Sequence, residues 1–228
     1  MRPLFLHSSG LGPRQWARTV ATLGGQAPPL IGYDGAGWRG ESYAWTDDCD
    51  ALTPLLTPDT DLVGHSYGGF LALQLARRYE VRSVAVWEPV VLSVLDDHFR
   101  QDELALDQAD DDLAAWLARF LGFWQVDWRA MSPDQQAPFL AHGRKVQAEV
   151  RALIRDKTTL SAYAEVRAPV LLLSGAETVP ASNQMCDRLA AALPAARHER
   201  VPNCGHMGPL TRRDALHDRL TRFWATLP

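Results

Sequence analysis

Residues 61–72, DLVGHSYGGFLA, set a serine between a short apolar run and a helix-like run. The run 61–64 predicts a buried β-strand, and the apolar residues after Gly69 predict a helix over 69–79. Gly64 and Gly68 flank Ser66 in a GxSxG pentapeptide, and their lack of side chains permits a sharp turn. Such a turn presents the serine hydroxyl at a helix N-terminus, where developing negative charge is favoured. The segment therefore predicts a strand-turn-helix unit with Ser66 as a nucleophile.

Short apolar runs alternate with helix-like segments along most of the chain, which is typical of a parallel sheet covered by helices on both faces. The runs that predict strands are short and bounded by Gly, Pro, Asn or Asp. They lie at residues 3–6, 29–33, 61–64, 83–87, 170–173 and 198–201. Further helices are predicted over 185–193 and 215–224. The predicted fold class is α/β, with a mainly parallel sheet of about six strands flanked by helices.

Residues 92–165 break this alternation, because they hold no convincing strand and form a stretch far longer than an ordinary connection. Apolar residues recur within it at helical spacing. They are Leu113, Trp116, Leu117, Phe120, Leu121 and Trp124. We interpret 92–165 as a helical insertion into an α/β core made of residues 1–91 and 166–228.

A second helix of this insertion is predicted to begin at Ser132. Ser132, Pro133 and Gln135 resemble an N-cap, a proline at the first helical position and a capping-box partner. Farther along, Lys145 and Glu149 lie four residues apart on one helical face. This spacing predicts an exposed ion pair, with binding of an anionic substrate as the alternative.

A serine is a weak nucleophile and needs a general base, itself oriented by a third group. His206 is the best candidate among the seven histidines, because it lies in a glycine-flanked loop after the last predicted strand. It also comes after the serine and after any acid, as the chain order Ser, acid, His requires. The sequence therefore predicts His206 as the base of Ser66.

With Ser66 and His206 in these contexts, the chain resembles the α/β-hydrolases. It is most similar to the small, cap-bearing members, which include esterases, carbon–carbon bond hydrolases and cofactor-free haloperoxidases, and the resemblance covers nearly the whole chain. It implies Ser66 as nucleophile, His206 as base, and an oxyanion hole formed by the backbone N–H groups of Ser9 and Tyr67. It also implies that the insertion 92–165 is a cap and that no metal or organic cofactor is needed. In the HSSG turn, Ser8 replaces the glycine more usual in the family. The first predicted strand matches the family's third, which implies fewer strands than the family usually has.

The acid of the triad is the partner that the resemblance leaves open. The family most often places an aspartate in a GxxD turn after the strand that follows the cap, and here Thr178 stands at that position. A threonine cannot carry the negative charge that stabilises an imidazolium. Glu88 directly follows the predicted strand 83–87, where some members of the family carry their acid. We favour Glu88, with Glu177 or a site without a classical acid as alternatives.

Composition and charge limit the class of partner. The chain has 228 residues, a net charge of -4 and scattered basic residues, so the basic surface of a nucleic-acid binder is not expected. The first residues lack the apolar region of a secretion signal, and no stretch is long enough for a membrane span. Three widely spaced cysteines fit reduced thiols. We expect a cytoplasmic protein that binds a small-molecule substrate, and neither nucleic acid nor a membrane. The oligomeric state stays open, with a homodimer as one alternative.

Three functions remain open at this stage. The first is hydrolysis of a small, largely apolar ester or thioester through an acyl-enzyme on Ser66. The second is cleavage of a carbon–carbon bond or opening of a lactone by the same residues. The third is a binding protein without catalysis, which the missing aspartate at position 178 would fit.

Overall fold

A parallel sheet forms the centre of the fold. The structure is a computed structural model that describes residues 2–35, 38, 40, 42–96, 106 and 112–227. Within them the five strands are β1 (Arg2–Leu6), β2 (Thr60–His65), β3 (Ser83–Trp87), β4 (Val170–Gly175) and β5 (Ala196–Val201), arranged across the sheet in chain order. The register pairs His65 with Trp87 and Trp87 with Leu173, so the carboxyl ends of β2, β3 and β4 lie side by side. Catalytic groups of parallel sheets gather at this edge.

The prediction of a strand over residues 29–33 is wrong, and the sheet of the described residues has five strands instead of about six. Pro28 and Pro29 begin this segment, and a proline has no N–H to donate to a ladder. The Leu30 amide donates to the His7 ring nitrogen Nε2 at 3.2 Å instead of to a neighbouring strand. The segment is therefore an irregular loop held by side chains.

Helices cover both faces of the sheet. Those of the described residues are α1 (Ala17–Leu23), α2 (Trp45–Leu52), α3 (Tyr67–Ala76), α4 (Leu113–Phe123), α5 (Pro133–Arg155), α6 (Pro180–Ala192), α7 (Gly208–Thr211) and α8 (Arg213–Ala225). The helices predicted over 69–79, 185–193 and 215–224 correspond to α3, α6 and α8, with shifted ends. None of the described helices combines the length and the apolar character needed to cross a membrane.

Strand side chains alternate between two apolar layers, as the two-residue period of a strand requires. Leu62 and Val84 belong to one layer, and Val63 and Ala85 to the other. Helix α3 is buried along its whole length in the first layer, directly behind the nucleophile turn. Burial on all sides holds this turn rigidly against the sheet.

Helices α4 and α5 lie in the predicted cap, and the described residues between β3 and β4 contain no strand. Ser132 caps α5 as predicted, because its hydroxyl accepts from the Gln135 amide at 3.3 Å and its own amide donates to the Gln135 side chain at 2.8 Å. Residues 97–105 and 107–111 of the predicted cap lie outside the described residues, and the division into core and cap stays a prediction. The prediction of an exposed ion pair between Lys145 and Glu149 is wrong. Both side chains are 0% exposed, because this face of α5 packs onto the core.

Candidate active site

Ser66 occupies a strained turn between β2 and α3. Its φ of 57° lies in the left-handed region that residues with a side chain seldom adopt. A Cβ at Gly64 would lie 2.3 Å from the Gly68 carbonyl oxygen, and a Cβ at Gly68 would lie 2.3 Å from the Leu6 carbonyl oxygen. Both glycines are therefore needed for the close backbone approach that the GxSxG pentapeptide predicts.

His206 lies in the loop between β5 and α7 and contacts Glu88 at the end of β3. The His206 Nδ1 is 2.9 Å from Glu88 Oε2, and both side chains are buried. Because a carboxylate can only accept, Nδ1 carries the proton and Nε2 is left to act as a base. The structure thus places the favoured acid against the favoured base.

Glu88 is held by two further donors. The Thr178 hydroxyl donates to Oε2 at 2.7 Å, and the Gly175 amide donates to Oε1 at 2.8 Å. Burial alone would raise the pKa of Glu88, but the hydrogen bond and charge of His206, with these two donors, lower it below its ordinary value. Glu88 is therefore held in its ionised form. Its φ of 42° is a second strained backbone position at this edge of the sheet.

Glu177, the alternative acid, does not share this environment. Its side chain is exposed, and its backbone amide donates to the Cys204 carbonyl at 3.0 Å. Thr178, the neighbouring residue at the position of the family's usual aspartate, is the one that reaches the Glu88 carboxylate. The geometry favours Glu88 over Glu177 as the partner of His206.

Ser9 and Tyr67, the expected oxyanion donors, line the same cavity as Ser66. Tyr67 opens α3, so its amide is among those without an intrahelical acceptor. The amides of Ser8 and Gly10 each donate to a side-chain oxygen at 2.8 Å. Across the described part of the chain, the Ser9 amide between them has no acceptor. This arrangement leaves the two expected N–H groups available to an anion.

Sequence reasoning missed His65 and Gln15, which join the base to the oxyanion turn. The His65 Nδ1 accepts from Gln15 Nε2 at 2.9 Å, and its Nε2 donates to the His206 carbonyl at 2.9 Å. The Gln15 Oε1 accepts from the Ser8 amide at 2.8 Å. Burial, together with the nearby His206, lowers the pKa of His65 well below its usual value, which keeps the ring neutral as these bonds require. No local sequence signal identifies this role, because His65 and Gln15 meet only in the folded chain.

Side chains from the predicted cap lie against these groups. The Trp124 ring, just after α4, stacks on the His206 imidazole with centroids 3.9 Å apart and planes 18° apart. Phe120 and Trp124 line two small cavities that both reach Ser66. Each cavity holds at most about 30 Å³, room for little more than one water molecule.

Comparisons with known proteins agree with this architecture. The model of the alpha/beta hydrolase family matches residues 4–219. A pimeloyl-[acyl-carrier protein] methyl ester esterase of Aromatoleum aromaticum is 29% identical, over 89% of this chain and 90% of that protein. Among solved structures, the esterase EaEST of Exiguobacterium antarcticum has a TM-score of 0.80 at 15% identity, covering 98% of this chain and 91% of its own. An enol-lactonase from Burkholderia xenovorans LB400 has a TM-score of 0.69 at 18% identity, covering 99% of this chain and 92% of its own.

Proposed function

Because the chain belongs to the alpha/beta hydrolase family, we propose that it is a serine hydrolase of small, largely apolar esters or thioesters, acting through an acyl-enzyme on Ser66. One observation carries this proposal: the buried bond of 2.9 Å between His206 Nδ1 and Glu88 Oε2, in a loop that borders the same cavity as Ser66. A binding protein would have no need of an oriented, buried acid–base pair beside a strained serine.

In the proposed mechanism, Ser66 attacks the carbonyl carbon of the ester while His206 Nε2 takes its proton. Glu88 stabilises the imidazolium that forms. The amides of Ser9 and Tyr67 bind the oxyanion, and His206 returns the proton to the leaving alcohol or thiol. A water molecule then repeats the sequence on the acyl-enzyme, releasing the acid and restoring the Ser66 hydroxyl.

The cavity walls support the proposed substrate class. The larger cavity is lined mainly by apolar side chains, which would accept an apolar acyl group in contact with Ser66. These side chains are Val90, Leu92, Leu106, Phe120, Phe123, Trp124, Val150 and Leu153. The smaller cavity, next to Ser8 and His206, suits a compact leaving group. The Aromatoleum aromaticum esterase is named for cleaving a methyl ester, whose alcohol is also compact.

Replacing Ser66 with alanine tests the nucleophile. We expect turnover of short p-nitrophenyl esters to fall by about three to six orders of magnitude while circular dichroism stays unchanged. A fluorophosphonate probe should label the wild type at Ser66 and leave the variant unlabelled. Unchanged turnover in the variant would overturn the nucleophile assignment, and a wild type that resists the probe would favour the binding-protein alternative.

Product analysis separates the second enzymatic alternative. Lactones and carbon–carbon bond substrates would react with the same Ser66 and His206, so the products identify the bond that is broken, and the kcat/KM values relative to esters identify the preferred substrate.

We propose a cytoplasmic location for this chemistry, because Cys49, Cys186 and Cys204 are all free and buried.

A further inference from the structure

A buried ionic cluster joins the cap to the oxyanion turn. Lys145 of α5 donates to Glu149 Oε1 at 3.1 Å and to Asp48 Oδ2 of α2 at 3.2 Å, and all three side chains are 0% exposed. The Lys145 ammonium also lies 3.7 Å from the centre of the Tyr43 ring. Charges are retained at such depth only when they are closely paired, and here one cation faces two carboxylates.

The Asp48 carboxylate holds the first oxyanion residue. The Tyr43 hydroxyl donates to Asp48 Oδ2 and accepts from the Tyr67 hydroxyl, whose oxygen lies 3.2 Å from the same Asp48 Oδ2. The Tyr67 side chain is thus fixed at its far end, while the residue also lines the cavity that Ser66 lines. Any shift of Asp48 would be passed to Tyr67 through these contacts.

The Glu149 carboxylate holds the second oxyanion residue. The Tyr33 hydroxyl donates to Glu149 Oε2 at 3.1 Å and accepts from the Gly10 amide at 2.8 Å, immediately after Ser9. Burial raises the pKa of Glu149, while Lys145 and the Ser9 side chain oppose that rise. Each carboxylate bonded to Lys145 is therefore connected to one side of the expected oxyanion hole.

We propose that Lys145 is a positioning residue of the oxyanion hole: from the cap helix it holds Asp48 and Glu149, which in turn hold Tyr67 and the Ser9–Gly10 turn. This inference rests on the proposed function, because it assigns the two amides to an oxyanion. It assigns no contact between Lys145 and substrate.

The test uses variants matched in charge and in chemistry. Lys145→Met/Glu149→Gln removes one positive and one negative charge and keeps an acceptor for Tyr33. Tyr67→Phe removes the single hydroxyl that joins Tyr67 to Asp48, and this nearly isosteric change keeps the test available if the double variant does not fold. Lys157→Met is the control, because Lys157 is the other lysine of the chain and is exposed.

The readouts are kcat, KM and the inhibition constant of a trifluoromethyl ketone, whose adduct with a serine places an oxyanion in the hole. For both cluster variants we expect kcat to fall about ten- to hundredfold, KM to change less than about threefold, and the ketone to bind weaker by the same factor as kcat. Lys157→Met should match the wild type. A lowered melting temperature with unchanged kcat and ketone affinity would show a merely structural role and overturn the proposal. A wild type without ester turnover or probe labelling would instead overturn the proposed function, and this inference with it.

Discussion

Replacing Glu88 with glutamine is the sharpest test of the triad, because the change keeps the size of the side chain and removes its charge. In the wild type, Oε2 accepts from His206 and Thr178 while Oε1 accepts from the Gly175 amide. A glutamine that keeps its oxygen on Gly175 must turn its NH₂ group toward His206 Nδ1. That group donates, so the imidazole proton moves to Nε2, the nitrogen that has to take the proton of Ser66.

The opposite orientation of the glutamine is also unfavourable. It would place the NH₂ group against the Gly175 amide, leaving a buried donor unpaired at a cost of about 1–3 kcal/mol. Loss of the charge-assisted bond to the imidazolium adds about 1.5–3 kcal/mol. Because Nε2 can act as a base only in this second orientation, both costs add to the activation free energy of the Ser66 attack. Together they raise it by about 2.5–6 kcal/mol, which corresponds to a fall of about two to four orders of magnitude in kcat.

The assay is initial-rate hydrolysis of a short p-nitrophenyl ester by wild type, Glu88→Gln and Glu177→Gln, with folding checked by circular dichroism. Glu177 is exposed, so its variant should stay within about twofold of the wild type. A Glu88→Gln enzyme that is folded and keeps more than about a tenth of kcat would refute the reasoning. A larger loss in Glu177→Gln than in Glu88→Gln would move the acid back to the turn after β4.

Two further predictions concern the cap and the acid stability of the site. Trp124 stacks on His206 and lines both cavities. Trp124→Leu should lower kcat for the shortest esters about two- to thirtyfold, the range of a lost cation–π contact, and raise the relative kcat/KM of longer acyl chains. An unchanged chain-length profile would contradict this role. Burial lowers the pKa of His7 from 6.5 to about 4. Between these two pH values unfolding takes up a proton, so the free energy of unfolding decreases as the pH falls from 6.5 to about 4, by about 3 kcal/mol in all. Urea unfolding from about pH 7 to about pH 4 should therefore give a flatter curve for His7→Gln than for wild type, and parallel curves would disprove the assignment.

Local patterns predicted the parts of the site that depend on neighbours in the chain. The turn at Ser66 requires two glycines at fixed offsets, and the capping box at Ser132 requires a glutamine three residues later. Both features could therefore be predicted from the sequence. The loop at 29–33 could not be predicted, because its apolar residues resemble a strand and the partner of the Leu30 amide is a histidine distant in sequence. Burial of Lys145 was missed for the same reason: helical spacing shows Glu149, but not Asp48 on another helix.

The choice of Glu88 as the proposed acid rests on its contact with His206 and not on the position that the family most often uses. Glu88 and Thr178 are distant in sequence, yet they follow the neighbouring strands β3 and β4, and the Thr178 hydroxyl donates to the Glu88 carboxylate at 2.7 Å. A carboxylate moved from the turn after β4 to the end of β3 can still reach the same imidazole, but burial there requires new donors. Thr178, at the position the family usually gives to the aspartate, supplies one of them. The threonine that suggests a lost triad in the sequence therefore supports, in the fold, the carboxylate that we propose as the acid.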